Sequence, residues 1–249
     1  MNIPHPFIEL ETVNSTNNFA EQLLASGEVQ EGTIIYSHEQ TSGRGQGDNS
    51  WESSPGQNAT FSLVLFPKFL HPENVFLLNK TISLGVLDFL SRVVSDHKLS
   101  VKWPNDIYID NLKIGGILIQ NTICGNRFDS CIAGIGINLN QGYFSPDLPN
   151  PVSLKQISGK EFPVADAIHK IVACIDDRYL QLRQGLIQVL GDEYQERLLG
   201  FNDWRGYFVN KTVIKGKVTG VDESGRLVLE MLDGSVRYFN HGEVKFSFQ

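Results

Sequence analysis

Cysteine is scarce in this chain: Cys124, Cys131 and Cys174 are the only three among 249 residues. The number is odd, and the spacing gives neither a CxxC pair nor a zinc-ligand pattern. A disulfide framework and a structural zinc are therefore not expected, and buried thiols in a reducing compartment are. No apolar run is long enough to span a bilayer. The opening residues, MNIPHPFIEL, lack the basic and apolar regions of a signal peptide. These absences point to a cytoplasmic protein with no membrane partner. Basic residues are in deficit too: 21 Lys and Arg stand against 28 Asp and Glu, a net charge of −7. That argues against a general nucleic-acid binder, but not against small anions held by a few local charges. The common nucleotide and hydrolase signatures are also missing. There is no G-x-x-x-x-G-K-[ST] and no G-x-S-x-G, and Gly134-Ile-Gly136-Ile-Asn-Leu lacks the third glycine of G-x-G-x-x-G.

What is present is an ordinary globular composition, 41% hydrophobic and 20% charged. The length suits one large domain, or one with a small appendage. NSTNNFAEQLLAS (14–26) reads as a capped helix stopped by Gly27. GTIIYSHEQ (32–40) and TFSLVLF (60–66) read as strands, and residues 74–97 have the longest helical periodicity. LSVKW (99–103), DIYI (106–109) and KIGGILIQ (113–120) read as short strands, the last two a hairpin turning at Asp110-Asn111. Another strand spans 127–140. Residues 141–163 look irregular, and 164–184 and 186–199 helical. After Trp204 the pattern becomes short β-rich runs with turns at 222–225 and 233–234. The expected architecture is α+β: a mixed sheet flanked by helices over residues 1–203, then a small β-barrel over 204–249.

Three stretches invite chemistry. SGRGQGDNSW (42–51) is a bare glycine loop carrying Arg44; alone, it is an ordinary solvent loop. In IAGIGINLN (132–140), strand alternation puts Gly134, Gly136, Asn138 and Asn140 on one face and aliphatic residues on the other. The glycine face suits either a flat ligand or a closely packed helix. The stretch KWPNDIYIDNLKIGGILIQ (102–120) holds Lys102, Asn105, Asp106 and Lys113 among apolar residues. Strand alternation places Lys113 with Gly115 and Ile117. A lysine here either snorkels to water or serves an anion, and two of them near glycines favour the anion.

Taken together and in order, these motifs resemble the catalytic core of biotin protein ligases. The matching residues are Ser15-Thr16-Asn17, Gln40 with Gly43-Arg44-Gly45 and Trp51, KWPND (102–106), KIGGIL (113–118) and GIGIN (134–138). The resemblance covers roughly residues 8 to 200, and the tail is similar to the family's SH3-like C-terminal domain. It implies a class II synthetase-like fold and two steps. Biotin and ATP give biotinyl-5′-adenylate and pyrophosphate, and the biotinyl group then passes to a lysine of a biotin carboxyl carrier domain. By resemblance, Arg44 and Lys113 are the leading cations, with Lys102 and an orienting Asp106. The biotin site takes Ser15, Thr16, Asn17, Gln40, Gly43, Arg44, Lys113, Gly116, Gly134 and Gly136. The ATP or adenylate site takes Arg44, Gly45, Gln46, Trp51, Asn105, Lys113 and Asn138. Magnesium is expected with ATP, without a protein-built metal site.

The resemblance also gives the glycine loop a task, folding over an intermediate that water would destroy. Fixing about eight residues costs on the order of 8–16 kcal/mol of backbone entropy, so the loop is expected to order only with ligand. One departure stands out: many family members carry arginine where this chain has Gln46, followed by Gly47-Asp48-Asn49, so the loop is less basic. No DNA-binding domain is expected ahead of the helix that begins near residue 14, and no specific DNA binding is expected. A homodimer through exposed strands is compatible with the sequence. Two other readings are a lipoate or octanoate ligase or transferase of related fold, and a non-catalytic module that holds biotin or an adenylate. The loop does not match the Arg-Arg-x-x-Gly-Gly-Gly type of lipoate ligases, and Cys124 and Cys131 have no evident activating base.

Overall fold

A computed structural model describes residues 5–47 and 49–247. Seven strands form one sheet in the order β1-β2-β3-β7-β6-β5-β4. They are β1 (Phe7–Val13), β2 (Ile34–Gln40), β3 (Ala59–Leu65), β4 (Leu99–Lys102), β5 (Asp106–Ile109), β6 (Leu112–Cys124) and β7 (Arg127–Ile137). Only β1 and β2 run parallel; the other neighbours are antiparallel, so the sheet is mixed as expected. The edge strand β1 was not anticipated from the sequence, although Ile8-Glu9-Leu10-Glu11 alternates.

The two faces of this sheet have different coverings. On one, Phe61, Ile135, Ile137, Ile117 and Val101 join the main core under α2 (Phe76–Val93) and α4 (Val164–Arg183), with α5 (Ile187–Glu196) beside them. Full burial stabilises each of these apolar side chains by about 1.5–3 kcal/mol. On the other face a smaller cluster, Ala20, Ile35, Val64 and Ile132, lies under α1 (Thr16–Ser26). The helix α1 ends at Gly27, whose left-handed φ of 73° suits a residue without Cβ. Ser15 is the N-cap residue by position, but its hydroxyl makes no capping bond. Residues 141–163 are mostly irregular, with one short helix, α3 (Leu154–Ser158), started by a Ser153–Gln156 capping box.

A second sheet follows in the order β11-β10-β9-β8-β12. Its strands are β8 (Trp204–Val209), β9 (Thr212–Val221), β10 (Leu227–Met231), β11 (Val236–Phe239) and β12 (Val244–Phe246). The chain turns where expected, with Gly225 N–H donating to Asp222 O and Gly234 N–H to Met231 O. Cys131 and Cys174 are buried and unpaired, and burial pushes the Cys131 thiol up to about 12. A buried thiol raised in this way is the opposite of an activated nucleophile. Cys124 is exposed at the far end of β6.

Candidate functional site

Register dictates the floor of the cleft. Thr60 pairs with Gly136, Gly136 with Gly116, Gly116 with Asp106, and Asp106 with Lys102. One row across β3, β7, β6, β5 and β4 therefore reads hydroxyl, two bare glycines, a carboxylate and an ammonium. Side chains in register point to the same face. The adjacent row pairs Ser62 with Gly134 and Gly134 with Leu118. The cleft above these rows encloses about 870 Å³, ample for a drug-sized ligand.

The glycines make room for the protein's own side chains. A Cβ on Gly134 would collide with the Asn17 amide of α1, and one on Gly136 would lie 2.5 Å from the Trp51 ring. A Cβ on Gly116 would sit 3.4 Å from the same indole. The flat group lying on Gly136 and Gly116 is thus the protein's own Trp51 rather than a ligand, while at Gly134 the close-packed helix is α1. The buried Trp51 Nε1 has no hydrogen-bond partner, and Lys113 Nζ lies 5.8 Å from the ring centroid.

At one end of the cleft the groups are neutral and interlocked. Gln40 Oε1 accepts from Thr16 N–H at 2.8 Å. Asn17 Nδ2 donates to Gln120 Oε1 at 2.5 Å, and Gln120 Nε2 donates to Glu21 at 2.8 Å. The Glu21 carboxylate accepts only, which orients the Gln120 amide and through it Asn17. Ser62 donates to Asn17 Oδ1 at 2.6 Å. Ser15, Thr16 and Asn17 are buried here and line the cleft. Neither Gln120 nor Ser62 stands out in the sequence, because nothing local marks a partner 103 or 45 residues away.

The opposite end is ionic. Asp106 bridges two lysines, with Lys113 Nζ at 2.6 Å and Lys102 Nζ at 3.2 Å. A carboxylate between two ammonium groups offsets their mutual repulsion and fixes their spacing. Lys113 reaches this position by a register shift. Tyr108 pairs with Lys113 but Ile107 with Gly115, so β6 bulges at Ile114. Strand alternation had placed Lys113 with Gly115 and Ile117; the extra residue instead turns it to the side of Gly116 and Asp106. Asn105 is buried, its amide donating to Ile117 O at 2.6 Å and approaching Gln46 Oε1 at 3.4 Å.

The glycine loop is a narrow hairpin. Trp51 N–H donates to Gly43 O, Gly45 N–H donates to Asn49 O, and Arg44 bridges Ser50. These internal bonds, invisible in the sequence, offset part of the ordering cost. Arg44 Nη1 donates to Asn18 Oδ1 at 2.9 Å, tying the loop to α1. Gly45 and Gln46 line the cleft. Gly43 does not: it forms the neck of the hairpin, where a Cβ would strike the Trp51 carbonyl. Asp48 lies outside the described residues.

Asn138 also departs from expectation. Regular alternation stops at Ile137, and the Asn138 amide donates to Val152 O at 3.0 Å. Asn138 therefore lines not the main cleft but a side pocket of about 70 Å³ that it shares with Trp51, Lys113 and Phe144. Asn140 likewise turns away, donating to Phe162 O. Conversely, the second sheet contributes what the sequence did not reveal: His241, Val244, Lys245 and Phe246 form part of the cleft wall.

Comparison with known proteins agrees with this geometry. Residues 9–138 match the biotin/lipoate A/B protein ligase family, and residues 209–247 match the biotin protein ligase C-terminal domain. The chain is 32% identical over 244 residues to the bifunctional ligase/repressor BirA of Bacillus spizizenii, covering 92% of this chain and 71% of that protein. It is 29% identical over 155 residues to the biotin–[acetyl-CoA-carboxylase] ligase of Paracoccus denitrificans, covering 60% of this chain and 63% of that one. Among solved structures, the biotin protein ligase of Aquifex aeolicus in complex with biotin and ATP aligns with a TM-score of 0.80 and 26% identity, over 97% of this chain and 98% of that one.

Proposed function

The chain belongs to the biotin/lipoate A/B protein ligase family, and we propose that its cleft is where biotin is joined to ATP and then passed to a lysine of a biotin carboxyl carrier domain. The enzyme is a biotin–[acetyl-CoA-carboxylase] ligase that forms AMP. The observation that carries the assignment of ends is the split between a neutral, hydrogen-bonded end and an ionic end.

The neutral end suits the biotin ring system, whose ureido group offers N–H donors and a carbonyl acceptor to the Ser15–Asn17 and Gln40 groups. The ionic end suits the reacting phosphate. A biotin carboxylate oxygen attacks the α-phosphorus; the bond to the β-phosphate bridging oxygen breaks, and pyrophosphate leaves with that electron pair. Anions converge in this step, so fixed cations lower its barrier, and Arg44, Lys102 and Lys113 are the groups at hand. Asp106 orients the two lysines. Trp51 walls the adenine, with Asn138 in the adjoining side pocket. In the second step the neutral acceptor amine attacks the biotinyl carbonyl carbon, AMP leaves with the carbon–oxygen bonding pair, and the nitrogen gives up one proton to the departing phosphate or to water. Gly45 and Gln46 in the hairpin loop above help to exclude water from the anhydride.

Magnesium accompanies ATP in this reading, screening its phosphates. The described residues contain no cluster of three or more metal-ligating side chains. Of the described residues lining the cleft, Asp106 is the one carboxylate that would be at hand to help hold such an ion. The chain is read as dividing near residue 203 into a ligase core and a small barrel, working in the cytoplasm, as a monomer or a homodimer, without nucleic acid. The net charge of −7 with cations gathered in the cleft supports the last point. No described helix is long and apolar enough to cross a membrane.

The test is pyrophosphate release from ATP and magnesium with biotin, lipoate or octanoate supplied separately. Release with biotin alone is expected. Release with lipoate or octanoate alone would move the enzyme to the other branch of the family, and binding of biotin without release in any mixture would make the site a binding module.

A further inference from the structure

We propose that Trp103 is a positioning residue for the phosphate end of the cleft, anchored on the small barrel rather than on its own sheet. Trp103 is buried, and its Nε1–H donates to the carbonyl of Gly225 at 2.9 Å. Its ring faces His241 of the barrel at 6.2 Å between centroids. In the chain it follows Lys102, the last residue of β4, and precedes Asn105 and Asp106. A shift of the indole therefore moves the backbone that carries both partners of the Lys102–Asp106 ion pair.

The anchor is a rigid one. Gly225 closes the β9–β10 turn, whose Asp222 carboxylate accepts from Arg226 N–H at 2.8 Å, from its guanidinium at 2.8 Å and from the Ser224 hydroxyl at 2.8 Å. The turn is wedged against α2 so closely that a Cβ on Gly225 would lie 2.6 Å from the Phe76 ring, at a φ of +88° that L side chains rarely adopt. From the same barrel, Phe246 lies 6.0 Å from Lys102 Nζ. The barrel thus holds the ionic end at two points, whereas among the described residues the hydrogen bonds of the Ser15–Asn17 and Gln40 network involve no barrel residue. Barrel placement is read out at the phosphates and not at biotin.

This inference rests on the biotin- and ATP-binding reading of the cleft. The test uses the full chain and follows pyrophosphate release while ATP and biotin are varied separately. Trp103→Phe keeps the ring and removes the N–H. It is expected to raise KM for ATP about three- to tenfold, the size of one lost hydrogen bond, with KM for biotin changed less than twofold. Gly225→Ala acts from the barrel side with Trp103 intact, and it should shift the same constant in the same direction. The double variant should fall short of the product of the two. Gln195→Ala removes a different barrel contact, the 2.7 Å bond from Gln195 Nε2 to Thr219 O remote from the cleft, and should lower Tm with both KM values unchanged. If Trp103→Phe and Gly225→Ala only lower Tm as Gln195→Ala does, or raise both KM values alike, Trp103 is merely structural and the proposal fails. Absence of biotin-dependent release in the unsubstituted protein would instead overturn the functional reading itself.

Discussion

The two ends of the cleft solve the same problem, holding a ligand, with opposite physics. Around Ser15, Thr16, Asn17 and Gln40 the binding groups are uncharged, the first three of them buried, and they are held by Gln120 and Ser62, with the exposed Glu21 carboxylate behind Gln120. Around Lys102, Asp106 and Lys113 they are charged and partly solvated, with a polar loop above and a barrel wall beside them. A neutral network gives geometric specificity that is set before the ligand arrives. A cationic one gives attraction that becomes strongest when negative charge moves in the transition state. The division teaches that recognition of biotin and activation of its carboxylate should be separable by substitution.

The sharpest way to break that separation is at Lys113. Lys113→Ala should reduce biotin-dependent pyrophosphate release by about 10²-fold or more, the usual loss for one group that stabilises transition-state charge. Biotin affinity by calorimetry should change only a few-fold. Equal losses in affinity and turnover would mean that Lys113 binds biotin uniformly and that the ends are not distinct. At the neutral end, Gln120→Leu removes the acceptor for the Asn17 amide without touching the cleft. The buried Asn17 amide would keep only its long 3.5 Å bond to Leu118 O, and weakening a buried donor's pairing costs about 1 kcal/mol or more. Biotin affinity should fall roughly tenfold, while KM for ATP stays put.

The loop offers a smaller probe. Gln46 reaches Asn105 through a weak neutral contact of 3.4 Å, and Arg44 is engaged with Asn18. Replacing Gln46 by Arg adds a cation facing the intermediate and should slow escape of biotinyl-adenylate several-fold, as measured by trapping released adenylate. An unchanged or faster release would show that Gln46 does not weaken retention.

These expectations also measure what the sequence made legible. The ordered motifs identify the family, the mixed sheet and most cleft residues, because glycine patterns and short polar motifs are local. Three features were not legible. The bulge at Ile114 that turns Lys113 toward Asp106 depends on pairing with β5, and alternation alone put the lysine on the wrong side. Asn138 leaves the glycine face because the irregular segment after β7 offers it the Val152 carbonyl. The barrel's share of the cleft rests on contacts such as Trp103 to Gly225, 122 residues apart, which no local pattern encodes. Glycine spacing also told where close approach occurs, but not that the approaching groups would be Asn17 and Trp51.

Ionic strength gives the mildest test of the comparison and needs no substitution. The Debye length falls from about 10 Å at 0.1 M to about 3 Å at 1 M salt, so attraction between the partly exposed lysines and a polyphosphate weakens. Side chains of Lys102 and Lys113 remain 24% and 27% exposed, enough for ions to compete. Hydrogen bonds between neutral buried groups carry no comparable dependence. Raising salt from 0.05 to 0.5 M should therefore raise KM for ATP several-fold and leave KM for biotin nearly constant. The fixed ammonium–carboxylate pairs should reduce the slope below that of bare lysines, because Asp106 already occupies part of their field. Lowering that internal competition with Asp106→Asn should steepen the salt dependence of KM for ATP. A slope unaffected by Asp106→Asn would mean that the carboxylate sets only the positions of the two lysines and not the strength of the field they present.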